Sequence, residues 1–407
     1  MRILVVTPYH APAYAFGGPV RMAETMIAAF LAAGHQVTVA TTDALDLDRR
    51  VPPGTGDLPP GCRVLRFPNV SHRLAARAMG WTPRGYRAWV REHVHEFDVV
   101  HLHDVYSVLS VAAARAASAA GVPYALQPFG SLAPAKERGR PLVKRAFLTL
   151  WGRRTLREAA ANVHSTEDER RDFLAAGAPA ATLVRLPLPL ELPPPRGEAE
   201  AAAPTLVYVG RLDPIKGLDR LLDAVALARG RVPDLRLDLV GPGNGYRRRL
   251  EVQAARLGIG DAVRFHGFVP AEEKVRLLET AHVFCLLSRS EGLPVSALEA
   301  MACGTPVIVS PGCHIPEIDG VGGVVVDTDP EPTARAIADL LGDDERRRRL
   351  GDGARAFADE FRHERVMPRM IAVFERLAGP ASASRRVTLD GRSGPAAPAA
   401  TPTGKDA

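Results

Sequence analysis

The feature that most constrains this chain is an alternation that runs, stops and restarts. From Arg2 onward, apolar runs of strand length alternate with helix-length intervals. The pattern breaks at LPLPLELPPPRGEAEAAAP, Leu186 to Pro204, and resumes at Thr205. Strand–helix–strand alternation builds parallel strands, because a parallel return needs a crossover and a tight turn cannot supply one. The connector is Pro-rich, then acidic and Ala-rich, a composition suited to a linker. The expected fold is therefore α/β, with two facing Rossmann-like domains and a cleft between them. Sheets of this kind bind ligands at the carboxyl ends of their strands, so a site is expected in that cleft.

In the first unit, strands are expected at Arg2–Val6, Gln36–Thr41, Val64–Phe67, Asp98–Leu102, Tyr124–Gln127, Ala161–His164 and Thr182–Leu186. An amphipathic helix covers Val20 to Ala33, and an Ala-rich helix ends at Ala120. In the second unit the strands are Thr205–Val209, Leu235–Val240, Ala262–Phe265, His282–Leu287, Thr305–Val309 and Gly323–Val326, with a helix from Lys216 to Arg229. The expected division is a first domain over 1–187, a linker over 188–204 and a second domain over 205–360. A helix over 361–378 is expected to pack back on the first domain. The tail 379–407, of Pro, Ala, Ser and Gly with scattered charge, is expected to be disordered.

Composition narrows the partners. A net charge of +6 over 407 residues suits acidic ligands or an anionic membrane surface without calling for nucleic acid. Cys62, Cys285, Cys303 and Cys313 fall at no metal or redox spacing, and Cys285 and Cys303 lie in apolar segments, as core residues of a reducing compartment do. One Arg precedes the run Ile3 to Thr7 and Pro8 ends it, which is no leader peptide. The place expected is the cytoplasm, extending to the inner face of the plasma membrane.

Chemistry concentrates in SRSEGLPVSALEAMACGTPVIVS, Ser288 to Ser310. It has the order loop, helix, turn, strand. Pro294 is placed to be the first helical residue, and Gly304 stops the helix. Glu291 lies before the helix and Glu299 inside it. The helix N-terminus between them, with free N–H groups and the positive dipole end, suits an anion such as a diphosphate. Glu299 can accept two hydrogen bonds from a diol such as a ribose. Arg211 directly follows the first strand of this unit and Lys216 opens its next helix, so both can converge on a phosphate. Taken singly, these are also what a surface carboxylate and two solvated cations look like.

As a set, GR-(x)4-KG and E-(x)7-E followed by AMACGTPVIVS resembles the retaining glycosyltransferases of family four, which have the GT-B fold. Gly17 and Gly18 after the first strand, GHQVTVATT, DVVHLHD, LVGPGN and FHGFV agree with it, and the resemblance runs to about Leu377. It implies transfer of a hexosyl group from a nucleotide-diphosphate sugar to a glycan or lipid-linked acceptor, with retention and with no metal or other cofactor. It implies that Arg211 and Lys216 neutralise the donor diphosphate, that Glu299 holds the ribose and that Glu291 binds the donor sugar. It further implies that the N–H groups of Gly292, Leu293, Val295 and Ser296 face the sugar and β-phosphate. Phe268 and Val269 would lie near the base, and Gly17 and Gly18 would let the first loop approach the phosphates. A family His reaches toward the sugar. Alternation puts His101 and His103 on one side of the strand, so both stay candidates, with His103 nearer the carboxyl end. A sugar-nucleotide epimerase on the same fold and a non-catalytic sugar-nucleotide binder are the alternative readings. The chain departs from many members in having no Asn-Gly pair after Arg185.

Asp46-Leu47-Asp48 and Asp327-Thr328-Asp329 have the spacing of metal-dependent transferases of another fold, but short pairs of this kind arise by chance. GPGNGY at Gly241 has Tyr246 where a dinucleotide fingerprint needs its third Gly, and it follows the unit's second strand. RPLVKRAFLTLWGRRTLREAA, Arg140 to Ala160, mixes Lys144, Arg145, Arg153, Arg154 and Arg157 with Phe147, Leu148 and Trp151. Such a segment is either a core-facing helix with a wet basic face or a surface for an anionic membrane.

Overall fold

The computed structural model describes residues 1–16, 18–46, 48–52, 60–70, 83–132, 141–194, 201–243 and 245–379. Gly17, part of the linker and the tail from 380 onward lie outside the described residues.

Two parallel sheets account for both runs of alternation. The first contains β1 (Arg2–Val6), β2 (Gln36–Thr42), β3 (Cys62–Phe67), β4 (Val99–His103), β5 (Tyr124–Gln127), β6 (Ala161–His164) and β7 (Leu183–Arg185), in the order β3-β2-β1-β4-β5-β6-β7. The second contains β8 (Thr205–Val209), β9 (Arg236–Val240), β10 (Val263–Gly267), β11 (Val283–Leu286), β12 (Val307–Val309) and β13 (Gly323–Val325), in the order β10-β9-β8-β11-β12-β13. In each sheet the order reverses beside the first strand, which opens a crevice at the carboxyl ends of β1 and β4 and of β8 and β11. These central strands are almost wholly apolar because helices cover both their faces.

Two sets of polar contacts tie the units together. The chain runs out along Leu186 to Leu192 and returns at Phe361 to His363. There Leu190 N–H donates to Phe361 O (2.8 Å) and His363 N–H to Leu190 O (3.1 Å). The Arg362 guanidinium donates to the carbonyls of Leu192 and Pro193, at 3.0 and 2.8 Å. The helix His363–Ala378 then buries Met367, Met370, Val373 and Phe374 among Ile3, Val5 and Phe30 of the first unit. Each such side chain is worth roughly 1.5–3 kcal/mol. At the other tie, His314 Nδ1 lies 3.2 Å from Asp168 Oδ2, and Glu167 N–H donates to Glu317 Oε1 (3.0 Å).

The basic segment is not one continuous α-helix. It consists of a helix over Pro141–Phe147, a π-turn over Leu148–Gly152 and a helix over Arg153–Glu158. Phe147 and Leu148 pack on the core, while Leu142, Val143, Leu150 and Trp151 are exposed. An unbroken period would have turned Trp151 inward. Among the described residues no helix is long and apolar enough to cross a membrane.

Candidate active site in the interdomain cleft

The wall contributed by the second unit is built from charge. Tyr208, fully buried in β8, donates its hydroxyl to Arg211 O (2.7 Å) and so fixes the backbone of the first turn. The Arg211 side chain extends into solvent, with Asp213 its nearest anion at 3.6 Å. Asp213 then accepts from Ile215 N–H (3.0 Å) and caps a 3-10 turn, Pro214–Lys216. Gly217 has φ 66°, and a Cβ there would lie 2.1 Å from Leu287 O, so only glycine lets this turn approach the end of β11. Lys216 therefore ends a 3-10 turn and does not open the helix as expected; that helix is Leu218–Ala228.

The approach places Lys216 Nζ 2.6 Å from Glu291 Oε1. The Ser288 hydroxyl donates to the same oxygen. The loop bearing Glu291 is held by Arg289 N–H to Ile215 O (2.7 Å) and Glu291 N–H to Gly312 O (2.8 Å).

Pro294 corrects a second expectation. It is the residue before the helix Val295–Ala302, with φ −80° and ψ 72°, an inverse γ-turn. Its carbonyl accepts the first helical bonds, from Ala297 and Leu298, and the turn closes Val295 N–H onto Leu293 O at 2.9 Å. Val295 N–H is thus already used and cannot face an anion. The N–H groups of Gly292, Leu293 and Ser296 have no acceptor among the described residues.

Glu299, inside the same helix, is paired with Lys274 Nζ at 2.8 Å. Lys274 comes from the helix Ala271–Thr280, just after the loop of Phe268 and Val269. Phe268 is 84% exposed, a large apolar ring left open, whereas Val269 is partly buried on the core. Nothing in the spacing of the chain had singled out Lys274 or Ser288.

The opposite wall is centred on two buried histidines. His101 and His103 both point to one face of β4 and are buried. The His103 Nε2 and His101 Nδ1 atoms are 3.3 Å apart, and His101 Nε2 is 3.1 Å from Gln127 Oε1. Both ring nitrogens of His101 are therefore engaged, while His103 Nδ1 is buried without a partner among the described residues. Burial lowers the His101 pKa to about 4 and that of His103 well below its ordinary value, so both rings are neutral near pH 7. The backbone is strained on either side. Asp104 has φ 73° and Phe129 has φ 50°, the left-handed region that non-glycine residues seldom occupy outside functional sites. Asp104 holds its conformation by accepting from Tyr106 N–H (3.0 Å) and the Ser131 hydroxyl (2.8 Å). Gly18 opens the helix Gly18–Ala32, and a Cβ on it would meet nothing within 4 Å.

The walls meet beside these groups. A Cβ on Gly130 would lie 3.1 Å from Gly292 Cα, next to Glu291, and Phe129 between Gly130 and His103 holds its ring 4.9 Å from the His103 ring. Lys216, Glu291, Gly292 and His103 thus gather at one junction. Arg211 stands at the solvent edge, and Glu299 belongs to a second cluster with Lys274.

Comparison with known proteins matches both halves. Residues 17–189 match the model of the glycosyl transferase 4-like domain, and residues 195–357 that of glycosyl transferases group 1. The chain belongs to the glycosyl transferases of the GT-B fold. Over 210 residues this family member is 36% identical to a GDP-mannose-dependent alpha-(1-6)-phosphatidylinositol monomannoside mannosyltransferase of Mycolicibacterium smegmatis, covering 46% of this chain and 55% of that one. Over 205 residues it is 37% identical to a D-inositol 3-phosphate glycosyltransferase of Streptomyces griseus, covering 48% and 41%. The matches thus span about half the length of these curated relatives. Among solved structures, sucrose-phosphate synthase of Thermosynechococcus elongatus superposes with a TM-score of 0.70 at 21% identity, over 92% of this chain and 98% of that one. HepE of Anabaena, solved with UDP and glucose, gives 0.65 at 19%, over 92% and 99%; at such identities the likeness is one of fold.

Proposed function

We propose that this GT-B chain transfers a hexosyl group from a nucleotide-diphosphate sugar to a glycan or lipid-linked acceptor, with retention of configuration. The observation that carries the reading is the Lys216–Glu291–Ser288 cluster at the entrance to the helix Val295–Ala302. An ammonium beside helix N–H groups suits a diphosphate leaving group, and the adjacent carboxylate suits sugar hydroxyls. The curated relatives, named for glycosyl transfer, support it.

In this reading the donor diphosphate takes Lys216 from Glu291, and Arg211 swings in from solvent to complete its neutralisation. The N–H groups of Gly292, Leu293 and Ser296 add donors. Glu291, released, accepts hydrogen bonds from the sugar, and His103 meets the sugar from the other wall. Glu299 turns from Lys274 to the ribose, with Phe268 and Val269 beside the base. The acceptor hydroxyl attacks on the face the diphosphate leaves, and a leaving phosphate oxygen takes its proton. Catalysis then comes from positioning and charge stabilisation.

The test is incubation of the full chain with a panel of UDP- and GDP-sugars and candidate acceptors, with anomer analysis of the product. Turnover with a retained anomer is expected, and Glu291→Ala should cut it about a hundredfold or more. Near-normal turnover by Glu291→Ala removes the role given to that residue.

We further propose that Leu142, Val143, Leu150 and Trp151, exposed among Arg145, Arg153 and Arg157, rest on an anionic membrane from which a lipid-linked acceptor is drawn. Flotation with anionic liposomes should recover the chain, and Leu150→Glu with Trp151→Glu should release it. Recovery that ignores lipid charge and both substitutions would remove the idea.

A further inference from the structure

Behind the first unit's wall, a chain of contacts between hydrogen-bonding atoms runs from Gln127 through His101 to His103. In the parallel register β4 and β5 place His103 opposite Gln127. Gln127, His101 and His103 are all buried. The chain of contacts is Gln127 Oε1 to His101 Nε2 (3.1 Å), then His101 Nδ1 to His103 Nε2 (3.3 Å). Aromatic edges close the flanks. The Phe374 ring stands 4.9 Å from His101, and the Phe129 ring 4.9 Å from His103. His103 Nδ1 ends the chain, buried and without a partner among the described residues.

We propose that Gln127 and His101 are positioning residues that hold His103 in its Nε2–H form, so that Nδ1 is presented to the cleft as an acceptor for a sugar hydroxyl. The proposal rests on the reading of the cleft as a sugar-nucleotide site.

The argument is one of donors and acceptors. A neutral imidazole has one of each. The carbonyl oxygen of Gln127 can only accept, so His101 carries its hydrogen on Nε2. His101 Nδ1 is then a lone pair and accepts from His103 Nε2–H. The second nitrogen of His103 is left as a lone pair, and a buried lone pair without a partner gains most from a donor. A hydroxyl supplies that donor. A carboxylate, phosphate or carbonyl oxygen does not, and it would face the lone pair repulsively. The position therefore selects a neutral hydroxyl-bearing sugar over one with an acidic group at this point. Turning the Gln127 amide over would reverse every step and present an N–H instead, so a single amide sets the polarity of the pocket.

The test is long-range nitrogen–proton NMR of the full chain labelled with 15N-histidine. In substrate-free protein, both His101 and His103 should show Nε2 as the protonated nitrogen and Nδ1 as the bare one. Gln127→Met and His101→Phe should each mix the two forms at His103 and lower kcat about tenfold, with donor KM little changed. A protonated Nδ1 on His103 in the unaltered chain overturns the proposal while leaving the assignments of Lys216 and Glu291 intact. An unchanged pattern in Gln127→Met overturns the part given to Gln127. A His103 Nδ1 signal unmoved by a saturating, turned-over nucleotide sugar overturns its link to the sugar. Failure of every nucleotide sugar to turn over would instead sink the reading of the cleft.

Discussion

The two walls of the cleft solve opposite problems. The second unit's wall is made of charges that already neutralise one another, Lys216 with Glu291 and Lys274 with Glu299. The first unit's wall is made of imidazoles that burial has stripped of charge. A charged wall can wait without an anion only if each cation has a local partner, because an unpaired, partly buried charge is costly. A neutral wall can be fully dried, which sharpens its hydrogen bonds but leaves nothing to hold a diphosphate. The division suits a ligand with an anionic end and a hydroxylated end, as the function proposed above requires.

The comparison can be broken from either side. The largest effect is expected at Lys216. Lys216→Ala should lower kcat/KM about 10²–10³-fold, because it removes a charge that develops its worth on the leaving diphosphate. A drop below threefold in steady-state assays would show that this wall is not the diphosphate side. Next comes acid. His101 has a folded pKa of about 4 against an ordinary 6.5, so the unfolded chain binds more protons between these values. Stability is then complete above pH 6.5 and is lost as pH falls toward 4, by up to about 3 kcal/mol for this one ring. Melting curves should show a shallower loss over that window for His101→Phe than for the unaltered chain. Parallel losses would mean that the ring is not held neutral. The smaller changes are those at Gln127 and on the exposed apolar surface, which adjust one wall without removing its character.

The sequence carried the architecture because α/β order is a local pattern. Apolar runs such as Thr205–Val209 and Gly-ended helices such as Val108–Ala120 declare themselves over a dozen residues. Lys216, Glu291 and Glu299 were nameable from their places beside a helix start and after a strand, and a resemblance supplied the role of each. What stayed hidden depends on contacts between distant segments. Lys274 meets Glu299 only when two helices pack. Gln127 lies on the strand beside His101, 26 residues on, and its role needs the register of β4 and β5. The inverse γ-turn at Pro294 was missed for a different reason. Proline's fixed φ suits the first helical position and the turn before it equally well, and the two are separated by ψ, which the proline ring does not fix.

The most direct measurement is calorimetric titration of UDP and of GDP, which carry the diphosphate and lack the sugar, into the unaltered chain, Lys216→Ala and His103→Ala. The division of labour predicts that the preferred diphosphate binds the unaltered chain and His103→Ala alike and is lost to Lys216→Ala. Loss in His103→Ala with binding kept in Lys216→Ala would contradict it.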